Sequence, residues 1–387
     1  MRRILTLFLA VFLTLGALSG CAKEDPSLSV DRGQYALAAY PPDTVVMTID
    51  GSEVHWNEFA FWLCSAAKQM AEEAGVSEIE DWDAVYDETS GETWAEHLIS
   101  GVLQQEKEFH CLEAKAAGYG LALGADGDAY VEQSVYEALE RLNISPEEAD
   151  ADALKPYYLD TDVLRYQAKI SYLYLMMYQE LFGADGEKLT DEELNDNIAQ
   201  NGYMTVRHIL LSTVDEANNP LPDEVKEQKH TQAARIIERL RNITDTEELL
   251  REFDRYAAEF NEDPGVQMYP NGYCFTAGRM DAAFEAASAA LQPYEVSPEP
   301  VESAYGWHVI LRLPTTGEDV VDINSDGTPY LLRADAAQAT YTALVHAWIS
   351  DAKVEWAEGF EDLDVGKLFS KPESGWEKLD VFHWFHK

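Results

Sequence analysis

Apolar and polar positions change period several times along this chain, and each change marks an element. From Tyr203 through Met204, Val206 and His208-Ile-Leu-Leu211 to Ser212, β-branched and apolar residues surround one histidine, which predicts a strand. Pro300 to Arg312 repeats the pattern around His308. Between them the spacing predicts a long helix, a helical segment from Glu247 to Phe260 and the turn Asn261-Glu-Asp-Pro-Gly265. Met280 and Phe284, at i and i+4, share one apolar helix face. Upstream, Thr44 to Ile49, Asp50-Gly51 and Glu53-Val54 predict a hairpin closed by an Asp-Gly turn. Helical periods follow from about Asn57, then over Thr93 to Ala117, Ala125 to Leu142 and Val163 to Phe182. The last carries a stripe of Tyr166, Ile170, Leu173, Tyr174, Met177, Tyr178 and Leu181, which serves either as core or as an adaptable binding surface. Thr190-Asp-Glu-Glu193 is a capping-box pattern opening a short helix to about Gln200. Downstream, Thr315 to Thr328 reads as a polar loop and Tyr330 to Glu358 as one long helix. The segment Phe369 to Lys387 holds Trp376, Phe382, Trp384 and Phe385, as a docking tail or as part of the packing.

Residues 1–20 begin with Arg2 and Arg3, continue as an apolar run from Ile4 to Leu15 and end in small residues, the pattern of a secretory signal. The run is too short for a comfortable membrane span. Leu18-Ser19-Gly20-Cys21 resembles the bacterial lipobox, which implies a lipidated Cys21 and an extracytoplasmic, membrane-anchored protein of Gram-positive type. Residues 21–42, with Pro26, Gly33, Pro41 and Pro42, then read as a tether. Hydrophobic content of 46% with 9 Trp and 20 Tyr is that of a folded chain. The net charge of −43 makes nucleic acid and anionic lipid surfaces poor partners. Apart from Cys21, the cysteines are Cys64, Cys111 and Cys274, an odd number whose wide spacing fits neither a disulfide framework nor a zinc site. Buried free thiols, or one Cys64–Cys111 bridge, remain open. Asp322-Ile-Asn324-Ser-Asp326-Gly327 opens like a calcium loop, but Arg333 stands where a bidentate Glu is required, so an acidic hairpin turn is the reading preferred.

Four words in the central third stand in a telling order: the His208-Ile-Leu strand, Glu262-Asp-Pro-Gly265, Phe275-x-x-Gly-x-Met280-x-x-x-Phe284 and Tyr305-Gly-Trp-His308-Val-Ile310. Together they resemble the parvulin family of peptidyl-prolyl isomerases. The strand–turn–helix opening near Thr44 is similar to the start of extracytoplasmic foldases of the PrsA and SurA type. The resemblance implies an α+β chain: a helical chaperone domain with an inserted parvulin-like domain, a small antiparallel sheet surrounded by helices. The boundaries it implies are a helical domain over 43–201, the isomerase domain over 202–314, a loop over 315–329, and a C-terminal helix and tail over 330–387 returning to the N-terminal helices. His208, Asp263, His308 and Ser303 would be the catalytic set, and Met280, Phe284 and Phe275 the walls of a proline pocket. Rotation about an X-Pro bond breaks no bond, so neither metal nor cofactor is expected; the site must favour the twisted amide over the planar one. Partners implied are unfolded or partly folded secreted proteins with X-Pro bonds, the membrane through the anchor and, in a homodimer, a second copy of the chain.

Departures from the family pattern sustain an alternative. Ala289 takes the place of a family Phe, Pro293 is added, Tyr294 stands where the family carries Gly, and the glycine-rich word is reduced to Asn271-Gly-Tyr-Cys-Phe275. These support a catalytically weak holdase that uses the fold only to grip extended segments. A solute-binding lipoprotein is disfavoured, since no two-lobed βα repetition is visible. The loop from Ser212 to Val225 carries Asp215, Glu216, Asp223 and Glu224 and no basic residue, which argues against selection of phosphoserine-proline.

Overall fold

The structure, a computed structural model, describes residues 32–149 and 151–370. The signal segment, Cys21 and the aromatic tail from Trp376 lie outside the described residues. The chain divides into two compact units, one of residues up to Glu180 together with those from Thr342, the other Leu181–Tyr341.

In the first unit, helix α1 (Arg32–Leu37) precedes a hairpin of β1 (Val45–Ile49) and β2 (Ser52–His55). Helix α1 occupies part of the expected tether. Its Gly33 and Ala36 are buried, and the Cys64 thiol donates to the Gly33 carbonyl at 3.2 Å, a contact that composition alone does not reveal. Then come α2 (Trp56–Glu73), the ribbon β3 (Val85–Asp87) and β4 (Glu92–Thr93), α3 (Trp94–Gly118), α4 (Gly124–Arg141), α5 (Ala151–Leu154) and α6 (Thr161–Phe182). Thr93 and Glu96 form a reciprocal capping box that starts α3. Trp56, Phe59 and Leu63 of α2 and Leu98, Val102, Phe109 and Leu112 of α3 recur at helical spacing and are buried, which forms the core of this unit. In α6 the stripe is core: Ile170, Leu173, Tyr174, Met177 and Tyr178 are all buried. Cys64, Cys111 and, in the second unit, Cys274 are buried thiols outside any disulfide, so the Cys64–Cys111 bridge does not form.

The second unit opens with α7 (Asp191–Asn201), held at its start by the Thr190–Glu193 capping box and ended by Gly202 at a left-handed φ of 66°. Strand β5 (Met204–Ser212) follows, then α8 (Asp223–Arg241), α9 (Thr246–Phe260), β6 (Tyr273–Phe275), α10 (Ala282–Ala290), β7 (Val301–Ser303) and β8 (Gly306–Leu313). The sheet is antiparallel in the order β6-β5-β8-β7. One face sends Ile209, Leu211, Val309 and Leu311 into a core with Ile236, Ile237 and Leu240 of α8 and Phe253 of α9. The opposite face sends Met204, Val206 and Ile310 against Phe275, Phe284 and Leu291. This alternation is the period-2 pattern read at both histidine strands.

Two sequence expectations change downstream. Residues 315–329 are not only loop: β9 (Val320–Ile323) pairs with β10 (Pro329–Leu331), and Asn324 to Thr328 make the turn in which the calcium-like motif lies. The expected helix to Glu358 runs only as α11 (Leu332–Asp351). After it, β11 (Val354–Trp356) pairs with β1, Met47 lying opposite Trp356, and a short helix α12 (Val365–Leu368) follows. A β-branched and an aromatic residue on either side of Glu355 suit the free edge of β1 better than a further helical turn.

Two backbone positions in the second unit carry opposite consequences. Gly306 has φ 149°, and a Cβ there would lie 2.3 Å from the Leu211 carbonyl oxygen. Tyr294 holds φ 66° without being glycine, and it is only 40% exposed. Gly306→Ala is expected to destabilise the unit by at least ~2 kcal/mol, and Tyr294→Gly to stabilise it by about 0.5–1 kcal/mol. Amide hydrogen exchange of β5 and β8 in the two full-length variants checks both signs; protection unchanged by Gly306→Ala would refute the steric argument.

Candidate active site

Register on β5 and β8 creates the centre of the site. His208 lies opposite Ile310 and His308 opposite Leu210, so the two histidines are diagonal neighbours on one face. Their rings are nearly parallel, at 13° with centroids 5.0 Å apart, and Nδ1 faces Nδ1 at 2.8 Å. His208 Nε2 lies 2.9 Å from Asp263 Oδ2, and His308 Nε2 lies 2.6 Å from Ser303 Oγ.

Each end of this chain of bonds is held by local geometry. Asp263 ends the segment after α9, and its Oδ1 accepts the Gly265 N–H at 3.0 Å, capping the short turn Pro264–Gln267. Its Oδ2 also accepts the Tyr273 hydroxyl. Ser303 sits at the β7–β8 turn opposite Gly306, and its Oγ accepts the Tyr305 N–H at 3.1 Å. Proton positions follow from the partners. The Asp263 carboxylate only accepts, so His208 Nε2 carries a proton; His208 Nδ1 then accepts from His308 Nδ1–H, and His308 Nε2 accepts from the Ser303 hydroxyl. All four ring nitrogens are used within the network.

Electrostatics agree with that assignment. Burial, followed by the neighbouring His208, pushes His308 down to about 3, so it stays neutral. Burial raises Asp263, but the bonds from His208, Tyr273 and Gly265 outweigh it and hold the carboxyl at about 2. Burial and the Asp263 carboxylate push Tyr273 well above its ordinary value, so it remains a donor.

Over this polar floor opens a cavity of about 450 Å³, lined on its apolar side by Leu210, Met268, Met280, Phe284 and Tyr305. Phe284 meets both imidazoles edge-on, at 5.3 Å from His208 and 5.1 Å from His308. Asp281 caps α10 by accepting the Ala283 and Phe284 N–H groups, and Glu285 gathers the N–H groups of Gly278, Arg279 and Met280, which fixes the loop bearing Met280. The structure therefore brings together His208, Asp263, Ser303, His308, Met280 and Phe284. Phe275 is a correction: it is buried behind Phe284, ring centroids 6.0 Å apart, pairs across from Met204 and does not line the cavity. Tyr273, Met268 and Tyr305 were not anticipated. The signal for Tyr273 is its period-2 relation to Phe275 on a strand whose same-face neighbour is Val206; Met268 and Tyr305 sit in turns that carry no periodic signal.

The depressed His308 value sets a pH dependence. Between about 6.5 and 3 the unfolded chain binds a proton that the folded unit does not, so stability is fully present above about 6.5 and falls as pH drops, by at most about 1.4 kcal/mol per pH unit. Asp263 adds a loss of the same sign from about 3.9 down through about 2. Exchange protection of the β5 and β8 amides, measured from about pH 7 to 4, is expected to fall in the wild type and to fall less in His308→Gln; parallel slopes would contradict a buried neutral His308.

Comparison with known proteins places this geometry. Residues 208–313 match the family described as Rotamase, the PPIC-type PPIase domain. The chain is 28% identical over 148 residues to the chaperone SurA of Photorhabdus laumondii subsp. laumondii; the match covers 38% of this chain and spans only 30% of that relative's length. Among solved structures it is similar to PrsA from Bacillus subtilis, at 20% identity and a TM-score of 0.23, covering 76% of this chain and 100% of that one. It is also similar to PrsA from Bacillus cereus, at 16% identity and a TM-score of 0.27, covering 85% and 100%. A SurA-like chaperone structure from Campylobacter jejuni matches at 16% identity and a TM-score of 0.25, covering 79% and 92%. Scores this low carry no argument of their own. The family match and the site rest on the same segment: residues 208–313 are a PPIC-type peptidyl-prolyl isomerase domain, a parvulin.

Proposed function

We propose that this protein is an extracytoplasmic foldase, whose parvulin domain catalyses cis/trans isomerisation of X-Pro bonds in unfolded or partly folded secreted proteins. One observation carries the reading: an apolar cavity of about 450 Å³ stands over a hydrogen-bonded floor whose ring nitrogens are all internally engaged. The X-Pro amide rotates through a state in which its C–N bond has lost double-bond character, over a barrier of about 18–20 kcal/mol. Met280, Phe284 and Met268 grip the proline ring. The His208–His308 pair, tied down by Asp263 and Ser303, keeps the floor from shifting while the bond turns. Both histidines therefore act as positioning residues rather than as acid or base. A twisted amide has a less polar carbonyl, so a desolvating pocket favours it over the planar form.

A second reading, the weakly catalytic holdase, is favoured by Tyr294 in the left-handed region where the family has glycine, and by the exposed Met268, Met280 and Tyr305 at the cavity rim. The finer localisation belongs to this proposal too: Cys21 carries the lipid, and the chain works from the outer face of the cell membrane. Among the described residues no helix is long and apolar enough to cross a membrane.

The full-length protein is expected to accelerate a proline-limited refolding reaction without preference for phosphoserine-proline. Met280→Ala, at a partly exposed position, is expected to lower kcat/KM about tenfold, the loss of about 1.4 kcal/mol of transition-state binding, with stability unchanged. Phe284→Ala abolishes more activity, but also empties a buried site at about 3–5 kcal/mol, so its melting curve is read alongside. No acceleration by the folded wild type selects the holdase. For the anchor, Cys21→Ala is expected to release the protein into the medium or block its processing; the variant fractionating with membranes as the wild type does would show that another segment holds it there.

A further inference from the structure

The first unit contains a polar cluster that the isomerase reading does not use. Glu106 and His110 are one helical turn apart on α3, and Glu58 reaches them from α2. All three are buried, Glu106 completely so. His110 Nε2 lies 3.3 Å from Glu58 Oε2 and 3.6 Å from Glu106 Oε2. Among the described residues no donor group reaches Glu58 Oε1 or either Glu106 carboxylate oxygen.

The other side of the imidazole decides what Nε2 presents. Ser52 Oγ and Tyr166 Oη lie 2.8 and 3.1 Å from His110 Nδ1. Both hydroxyls donate their protons to Glu113 Oε2, at 2.7 and 3.0 Å, while Lys169 pairs with the other Glu113 oxygen. With those protons committed, only oxygen lone pairs face Nδ1, so Nδ1 carries the hydrogen. The Nε2 lone pair of the neutral ring then points at two buried carboxylates. Lone pairs on three converging ligand atoms, an imidazole oriented from behind by a carboxylate-linked bond, and orphaned carboxylate oxygens are the parts of a metal centre.

We propose that Glu58, Glu106 and His110 bind a divalent first-row transition ion that clamps α2 to α3. Spacing supports this: ligands at about 2.1 Å from a tetrahedral ion lie about 3.4 Å apart, and the two distances from Nε2 fall on either side of that. One imidazole and two carboxylates, with no thiolate, suit Zn²⁺ or Mn²⁺ better than Cu⁺, and the nitrogen ligand disfavours Ca²⁺. The role is structural, because the ligands join two helices at a point where all three side chains are closed off from solvent.

The experiment unfolds the full-length protein in chelator, refolds it with Zn²⁺, with Mn²⁺ or with neither, and measures bound metal and melting temperature. One equivalent per chain is expected with one of the two ions, and a rise in melting temperature of about 5–10 °C at a hundredfold excess over the dissociation constant. Glu106→Gln is expected to fold, to lose that equivalent and to lose the shift, which separates the site from ions gathered by the acidic surface. Glu58→Gln is expected to do the same and guards against a folding failure of the first variant. A wild type that refolds to the same melting temperature with and without either ion overturns the proposal in favour of protons shared within the cluster. Metal uptake that persists in both folded variants places the ion elsewhere and overturns it equally.

Discussion

The pairing of β5 with β8 is the constraint on which the isomerase unit depends. It is the longest ladder in the unit, running from Thr205 opposite Leu313 to Ser212 opposite Gly306, and it is central in the sheet. One register sends Ile209, Leu211, Val309 and Leu311 to the helices and His208 and His308 to the other side. A slip of β5 by one residue would turn His208 into the apolar core and Ile209 and Leu211 onto the cavity, while β8 kept its faces. Core and site are therefore specified by a single alignment, which the tight approach of Gly306 to the Leu211 carbonyl helps to hold.

Buried polarity is handled differently in the two units. Around His208 and His308 every donor finds an acceptor, from the Ser303 hydroxyl through both rings to the Asp263 carboxylate, with Tyr273 closing the far end. A satisfied network costs little and removes alternative side-chain arrangements. Around His110 the satisfied half ends at Nδ1, and the other half leaves carboxylate oxygens without partners. Orphaned carboxylate oxygens in a dry interior are costly, and an ion between α2 and α3 would satisfy them.

The acidic excess of the whole chain, 71 carboxylate residues against 28 basic ones, has little part in the site itself. Near the cavity, carboxylates serve backbone geometry: Asp281 and Glu285 accept N–H groups at the start of α10, and Asp215 organises its own turn. Among the residues lining the cavity there is no Lys or Arg that could pair with a phosphate.

What the amino-acid order determined by itself is whatever closes within one turn or one alternation. The Thr190–Glu193 capping box, the Asp50-Gly51 hairpin and the two histidine strands each complete their physics among near neighbours, and each was legible; the helix face expected of Met280 and Phe284 was not, because α10 starts at Ala282 after the Asp281 cap and leaves Met280 in the preceding loop. The ordered family words added the site, because His208, Asp263, Ser303 and His308 recur as a set. Tertiary structure decided the rest. Gly33 and Ala36 became a buried helix only because Cys64 and its neighbours cover them. The helix predicted to Glu358 stopped at Asp351 because β1 had an edge for Val354–Trp356 to fill. Phe275 went behind Phe284, and Tyr273 joined Asp263, because strand register, not residue type, chose their neighbours. Glu58, Glu106 and His110 show the limit most clearly. Glu106 and His110 share a helix face that can be read from spacing, but Glu58 is 52 residues from His110, and only the packing of α2 on α3 turns an ordinary surface pattern into a buried, converging set of ligands.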